Sequence, residues 1–267
     1  MIPKTRADAQ SALKLCAQMP DERFDLTACA LACAIHENPD RDVTSALNAL
    51  EEITRLAQER RPKSALQLAK LIYGELGFAG ASHSYDDPAN ADLIHILTKR
   101  VGLPVGLGVI WRHVARLTQA NLSGVDTPGH FLLRLETTEG PVFIDPLAGG
   151  ALVDEAGLTH LAERAGLSAL SKSMLEPVSD RVLALRLQTN LAVRARASGD
   201  DEAWFRAAQR RALIAPDNLH IALDYSQAAE ATGQIQLALE WARHAGHLEG
   251  DKPGGGSRAR TLHHKLN

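Results

Sequence analysis

One short segment decides which class of fold is open to this chain. His130-Phe131-Leu132-Leu133-Arg134-Leu135 and Val142-Phe143-Ile144 are apolar, β-prone runs parted by Thr137, Thr138, Glu139 and Gly140. That pattern predicts a hairpin, and Ser123 to Asp126 offers a third strand beside it. Elsewhere the apolar residues recur at helical spacing. Aromatic residues make up only 4% of the chain, and alanine and leucine dominate. A core of that composition is built from small interlocking helices rather than from β-sandwich layers. The expected class is α+β, mostly helical, with one small antiparallel sheet near the middle.

The helical stretches are readable in turn. Leu26, Cys29, Ala30, Cys33 and Ala34 share one face, with Asp25 or Thr27 as the cap. A second stripe runs Val43, Leu47, Leu50, Ile53, Leu56 and Ala57, opened by the Asn38-Pro39-Asp40 turn, and a third covers Ala65, Leu68, Ala69 and Ile72 before Gly77. Asp87-Pro88 reads as the start of a helix that continues to Arg100, with Asp at the N-cap and Pro at the first helical position. After the break at Gly102-Leu103-Pro104 a very apolar helix is expected from about Val105 to Thr118, and its first turn holds Gly106 and Gly108.

Towards the C-terminus Gly199 and Gly233 stand 34 residues apart, as do Asp217 and Asp251, and Ala208 and Ala242. A 34-residue period is the TPR repeat length, one helix-turn-helix per unit. The second unit reads Asn218 to Thr232 as one helix, Gly233 as the turn, and Ile235 to His247 as the next. The expected organisation is an N-terminal helical region over 1–76, a core over 77–170, helical repeats over 171–249 and a flexible tail over 250–267. The tail is rich in Gly, Lys and Arg and carries His263-His264, read as solvated.

Composition excludes some functions. A formal net charge of −3 argues against a nucleic-acid binder, whose affinity comes largely from neutralising phosphates. Cys16, Cys29 and Cys33 form no disulfide framework, which suits a reducing compartment. No stretch reaches the roughly 20 apolar residues of a membrane span, and no signal peptide is visible from Met1 to Gln10. A cytoplasmic protein with no membrane, metal or other cofactor requirement is expected.

The chemistry-bearing pair is His130, at the start of one strand, and Asp145, at the end of the next. A hairpin is expected to bring them opposite each other, at one edge of the sheet. A carboxylate bonded to an imidazole fixes its tautomer and raises its basicity, which is the second half of a nucleophile–His–Asp triad. The nucleophile of such a triad sits at a helix N-terminus facing the sheet edge, where the dipole lowers a thiol pKa. The helix beginning near Pro104 is the place for it.

Several segments in this order, Gly77-Phe78, Tyr85 to Asn90, Gly102-Leu103-Pro104-Val105, Pro128-Gly129-His130-Phe131, Phe143-Ile144-Asp145-Pro146 and Gly149-Gly150, resemble the SirB-type transglutaminase-like/TPR family over roughly Phe24 to His247. The resemblance implies a transglutaminase-like core related to papain-type enzymes, with His130 and Asp145 at the triad His and Asp positions and helical repeats behind it. It also marks a departure. Transglutaminases carry Cys at the start of the central helix, and the SirB type usually reads Gly-Ile-Pro-Ile-Ser there. This chain has Gly102-Leu103-Pro104-Val105-Gly106, and glycine offers no nucleophile.

Each site residue also has a plainer reading. His130 and Asp145 can be a structural pair holding the hairpin edge. Tyr85, Asp87 and Asn90 can line a binding cleft, or Asp87 can be an N-cap and Asn90 a loop staple. Cys29, Cys33 and His36 fall at helical i, i+4 and i+7, which invites a metal, but buried cysteines beside a helix-end histidine are far commoner. His83, His95 and His113 show no ligand spacing. The expected function is a non-catalytic (pseudoenzyme) interaction or regulatory protein whose cleft or repeat helices engage a protein or peptide. The alternative is a hydrolase or acyl transferase on peptide or amide bonds that uses His130 and Asp145 with a relocated nucleophile, for which Ser82 and Ser84 are candidates.

Overall fold

A computed structural model describes residues 2–250 and Leu262. The tail expected over 250–267, with His263-His264, lies outside the described residues except at Gly250 and Leu262. Among the described residues the chain divides into two compact units. A repeat unit is drawn from Met1–Met19, Ile35–Pro39 and Gln188–Asn267, and a sheet unit from Pro20–Ala34 and Asp40–Leu187.

The first half is helical. It holds α1 (Arg6–Gln18), α2 (Leu26–Glu37), α3 (Thr44–Arg60) and α4 (Ala65–Ala69), the last running on as a π-helical turn over Lys70–Glu75. Local capping chemistry explains the starts. Thr5 and Asp8 form a capping box on α1, and Ser64 and Gln67 form one on α4. Asp25 is the cap of α2, accepting the Ala28 amide at 3.0 Å. A two-residue parallel pairing, β1 (Ala79–Gly80) with β2 (Val101–Gly102), brackets α5 (Leu93–Lys99).

The helix expected over Asp87 to Arg100 is broken. Asp87 does cap Pro88, but the turn is a 3-10 helix over Pro88–Ala91, and α5 begins afresh at Leu93. Two tertiary bonds explain the break. The Asn90 carbonyl accepts the amide of Leu103 at 2.8 Å, so it is lost to the helix ladder. Asp92 caps α5 through the His95 amide, and Arg41, in the turn before α3, grips its carboxylate.

Next come α6 (Pro104–Thr118) and a four-stranded antiparallel sheet. Its strands are β3 (Leu122–Thr127), β4 (His130–Thr137), β5 (Gly140–Asp145) and β6 (Ala151–Val153), in that spatial order. The third strand and the hairpin fall as the sequence predicts, and β6 is an addition. α6 forms the centre of the sheet unit, with Val105, Leu107, Val109, Ile110, Trp111 and Val114 all buried. It lies close against β4, because a Cβ on Gly108 would stand 2.6 Å from Phe131 Cε1. α7 (Glu155–Arg164) follows, capped by Asp154.

The chain ends in α8 (Asp180–Ser198), α9 (Asp201–Ile214), α10 (Leu219–Ala231) and α11 (Ile235–Glu249). α10 packs against both α9 and α11, and the turns before α9 and α11 keep the 34-residue spacing read from the sequence. Gly199 and Gly233 both sit at the turns with φ near +75°, a conformation that glycine adopts without a Cβ penalty. Asp200 and Asn218 cap the helices that follow them. The repeat unit buries Trp204, Phe205, Ile221 and Tyr225, with Tyr225 edge-on to Trp241 at 5.0 Å. No described helix is long and apolar enough to cross a membrane.

Candidate functional site

His130 opens β4 and follows a two-residue turn, Pro128-Gly129, in which Gly129 takes φ +70°. Its strand partner is Thr127, whose hydroxyl donates to the His130 carbonyl at 2.9 Å. Between β4 and β5 the register pairs Leu133 with Ile144. Asp145 is thus a diagonal rather than a directly opposed neighbour of His130. The side chains still meet, His130 Nε2 to Asp145 Oδ2 at 3.0 Å, within the reach of such diagonal pairs.

Asp145 is held from both sides. Its Oδ1 accepts the amides of Leu147 at 2.7 Å and Ala148 at 3.2 Å. Burial alone raises the Asp145 carboxyl, but the His130 bond and charge and the two amides outweigh it and hold it below the usual carboxylate range. An ionised acceptor at Oδ2 assigns the proton to Nε2 and leaves Nδ1 as the uncommitted ring nitrogen. The turn after Asp145 is pinned from the core. Tyr73 Oη donates to the Pro146 carbonyl at 2.6 Å and accepts from Trp111 Nε1 at 3.0 Å. Burial raises the Tyr73 phenol well above its ordinary value, so it stays a donor.

Two neighbours of this edge carry no signal in the sequence. Arg186 donates to the His130 carbonyl at 2.8 Å, pairs with Asp126 and lies 5.6 Å from the Phe131 ring. It stands 56 residues from His130 along a helix whose periodicity says nothing of the sheet. Arg164, in the last turn of α7, lines a small cavity with His130.

The remaining expected residues divide. Tyr85 is 44% exposed and interacts electrostatically with Arg186. Asp87 and Asn90 spend their groups inside their own loop. Asp87 accepts the Ala89 amide, and Asn90 is 2% exposed with its Nδ2 on Ser84 O at 2.6 Å and Ser84 Oγ at 3.0 Å. Ser84 is therefore tied to Asn90, while Ser82 Oγ faces the Gly80 carbonyl at 3.5 Å. His113 is a satisfied histidine, bonded by its two ring nitrogens to Thr27 and Thr54. Among the described residues no three His, Cys, Asp or Glu side chains are grouped to hold a metal.

Gly106 decides what the helix start can do. A Cβ there would overlap Ile96 Cδ1 and stand 3.4 Å from the Asn90 carbonyl, so the position points into α5 and the Asn90 turn. Gly106→Ser is expected to cost about 1–3 kcal/mol through overpacking. Adding Ile96→Ala should make the double variant at least about 1 kcal/mol more stable than the two single costs predict, as coupled neighbours do. Urea denaturation of the four proteins checks this, and simple additivity would show that Ile96 is not the obstacle.

Residues 41–189 match the family model described as Transglutaminase-like superfamily. A UPF0162 protein of Xylella fastidiosa (strain Temecula1) is 31% identical over 204 residues, covering 72% of each chain. A UPF0162 protein of Vibrio cholerae is 32% identical over 147 residues, covering 51% of this chain and 53% of its own. SirB1 of Salmonella typhimurium is 31% identical over 112 residues, covering 40% and 42%. A crystal structure of menin covers 99% of this chain and 76% of its own at 10% identity and a TM-score of 0.40. With more than half its length matched by the family model and a UPF0162 relative aligned over most of both chains, the protein belongs to the SirB type of the transglutaminase-like superfamily.

Proposed function

We propose that this chain is a non-catalytic, regulatory member of its superfamily, acting in the cytoplasm, whose His130–Asp145 cleft and helical hairpins bind a protein or peptide. The observation that carries the reading is Gly106: the helix start offers no nucleophile, and its Cβ direction runs into Ile96. Support also comes from the hydroxyls of Ser82 and Ser84, which bond within their own loop rather than to the imidazole. The three cysteines, Cys16, Cys29 and Cys33, are all buried. In this reading His130 and Asp145 are a triad remnant that shapes the cleft edge, and Tyr85, exposed in the same unit, belongs to the binding surface. A recess of about 690 Å3 on α11, lined by Leu237, Trp241, Arg243 and His244 among others, supports binding by the repeat unit.

One observation favours the rival reading, an acyl-directed hydrolase or transferase. The His130–Asp145 bond is intact and its Nδ1 is uncommitted, as a general base requires. An acyl-directed activity probe separates the two. The expected result is labelling no greater than that of the heat-denatured protein. Labelling of the native protein that vanishes in His130→Ala would sink the pseudoenzyme reading. For the binding half, Arg243→Glu is expected to lose a partner crosslinked in cells while the folded His130→Ala protein keeps the same activity-probe background.

A further inference from the structure

A cavity of about 60 Å3 lies beside the imidazole of His130. The turn residues Pro128 and Gly129 and His130 itself form one wall, and Leu161, Arg164 and Ala165 at the end of α7 form the other. A single water needs about 10–15 Å3 of such space, so this one admits a small polar group and excludes an aromatic ring. Nothing crowds the mouth at Gly129, where a Cβ would meet no atom within 4 Å.

The chemistry of the cavity is one-sided. Its charged lining group is Arg164, and no carboxylate lines it. Arg112, Arg134, Arg181 and Arg186 of the same unit are each paired with an acidic side chain. Arg164 has no ion-pair or hydrogen-bond partner among the described residues. The nearby carboxylates are committed elsewhere: Asp145 to His130, Asp126 to Arg186, and Glu163 near His160 at 4.0 Å. Arg164 is exposed and lines this small cavity, and an unpaired guanidinium matches a planar carboxylate in shape and charge.

We propose that this cavity is the subsite for a carboxylate of the peptide or protein ligand, held by Arg164 at the His130 edge. The assignment rests on the reading of that edge as a binding cleft. The carboxylate can come from an acidic side chain or from a free C-terminus, and both present the same group to Arg164.

The test is a titration of the 15N-labelled full chain, followed by NMR, with three short peptides. They are acetyl-Ala-Ala-Glu-amide, acetyl-Ala-Ala-Ala with a free carboxylate, and acetyl-Ala-Ala-Gln-amide. At least one carboxylate peptide is expected to shift the Gly129, His130 and Ala165 amides saturably, with the Gln peptide at least tenfold weaker. Whichever carboxylate peptide binds identifies the source. Arg164→Gln should raise that Kd at least tenfold and Arg164→Lys by less, with an otherwise unchanged spectrum showing that the fold is kept. Equal shifts from the Glu and Gln peptides would overturn the carboxylate assignment and leave the cleft reading standing. Silence of both carboxylate peptides at these amides, or wild-type affinity in Arg164→Gln, would also overturn it. The cleft reading itself is decided by the activity probe and the crosslinking.

Discussion

Glu37→Ala lowers the stability of the repeat unit by about 3 kcal/mol, the lower end of the cost of stripping one partner from a buried ion pair, because the Glu37 side chain is itself 32% exposed. Arg210 of α9 is 1% exposed, and its guanidinium is satisfied by Glu37 and by Gln188 Oε1 at 2.5 Å. Arg206 adds a second cation on Glu37 at 2.8 Å. Burial alone raises the Glu37 carboxyl, but Arg210 and Arg206 together hold it below its ordinary value. Without Glu37 the Arg210 charge stays inside with only an amide oxygen for company. The measurement is a denaturant midpoint followed by near-UV circular dichroism, with Trp204 and Trp241 reporting on the repeat unit. Arg55→Ala serves as the control, because its pair with Glu59 is exposed on both sides and should contribute less than about 0.5 kcal/mol. Replacing both partners, Glu37→Leu with Arg210→Met, is expected to recover most of the loss, since well-packed apolar substitutes often match a buried pair. A Glu37→Ala protein as stable as wild type would mean that Arg210 finds other compensation.

That network was not legible in the sequence, and the reason is physical. Glu37 ends α2, while Arg206 and Arg210 lie about 170 residues later, and a charge on a helix face reads as solvated unless its distant partner is known. What was legible depends on local chemistry. The hairpin, the start of α6 at a proline and the glycine turns of the 34-residue units are each set by residues within a few positions. The meeting of His130 with Asp145 followed from the hairpin alone, although the register makes them diagonal rather than opposed neighbours. The helix expected from Asp87 to Arg100 failed at Asp92, where a strong N-cap residue stands before Leu93-Ile94. That signal was present, and the apolar run behind it hid the break. Arg186 and Arg164 had none, because their roles depend on which helix the fold lays against the hairpin tip.

The repeat unit loses stability as the pH falls from neutral, and His36 contributes to the loss. His36 is fully buried, with Nδ1 unbonded and Nε2 at 3.4 Å from Gln10 Nε2. Burial first, then the charges of Arg210 and Arg6, push the imidazole down to about 4, against the opposing pull of Glu37 and of the Gln209 side chain. The folded state therefore binds this proton less readily than the unfolded chain, whose histidine titrates near 6.5. Stability from this group is complete above pH 6.5 and is lost progressively as the pH falls through 6.5 towards 4. A shift of that size corresponds to about 3 kcal/mol across the window. Glu37, held below its ordinary value, extends the loss at more acid pH. His113 in the sheet unit is also lowered, chiefly by burial, so the comparison has to be made between the wild type and a His36 variant. His36→Asn is expected to be less stable at pH 7.5 but to show a flatter dependence between pH 6.5 and 4.5, read from urea midpoints at several pH values. The same slope in both proteins, or a His36 ring that titrates near 6.5 by NMR, would show that the imidazole is free to take up its proton in the folded chain.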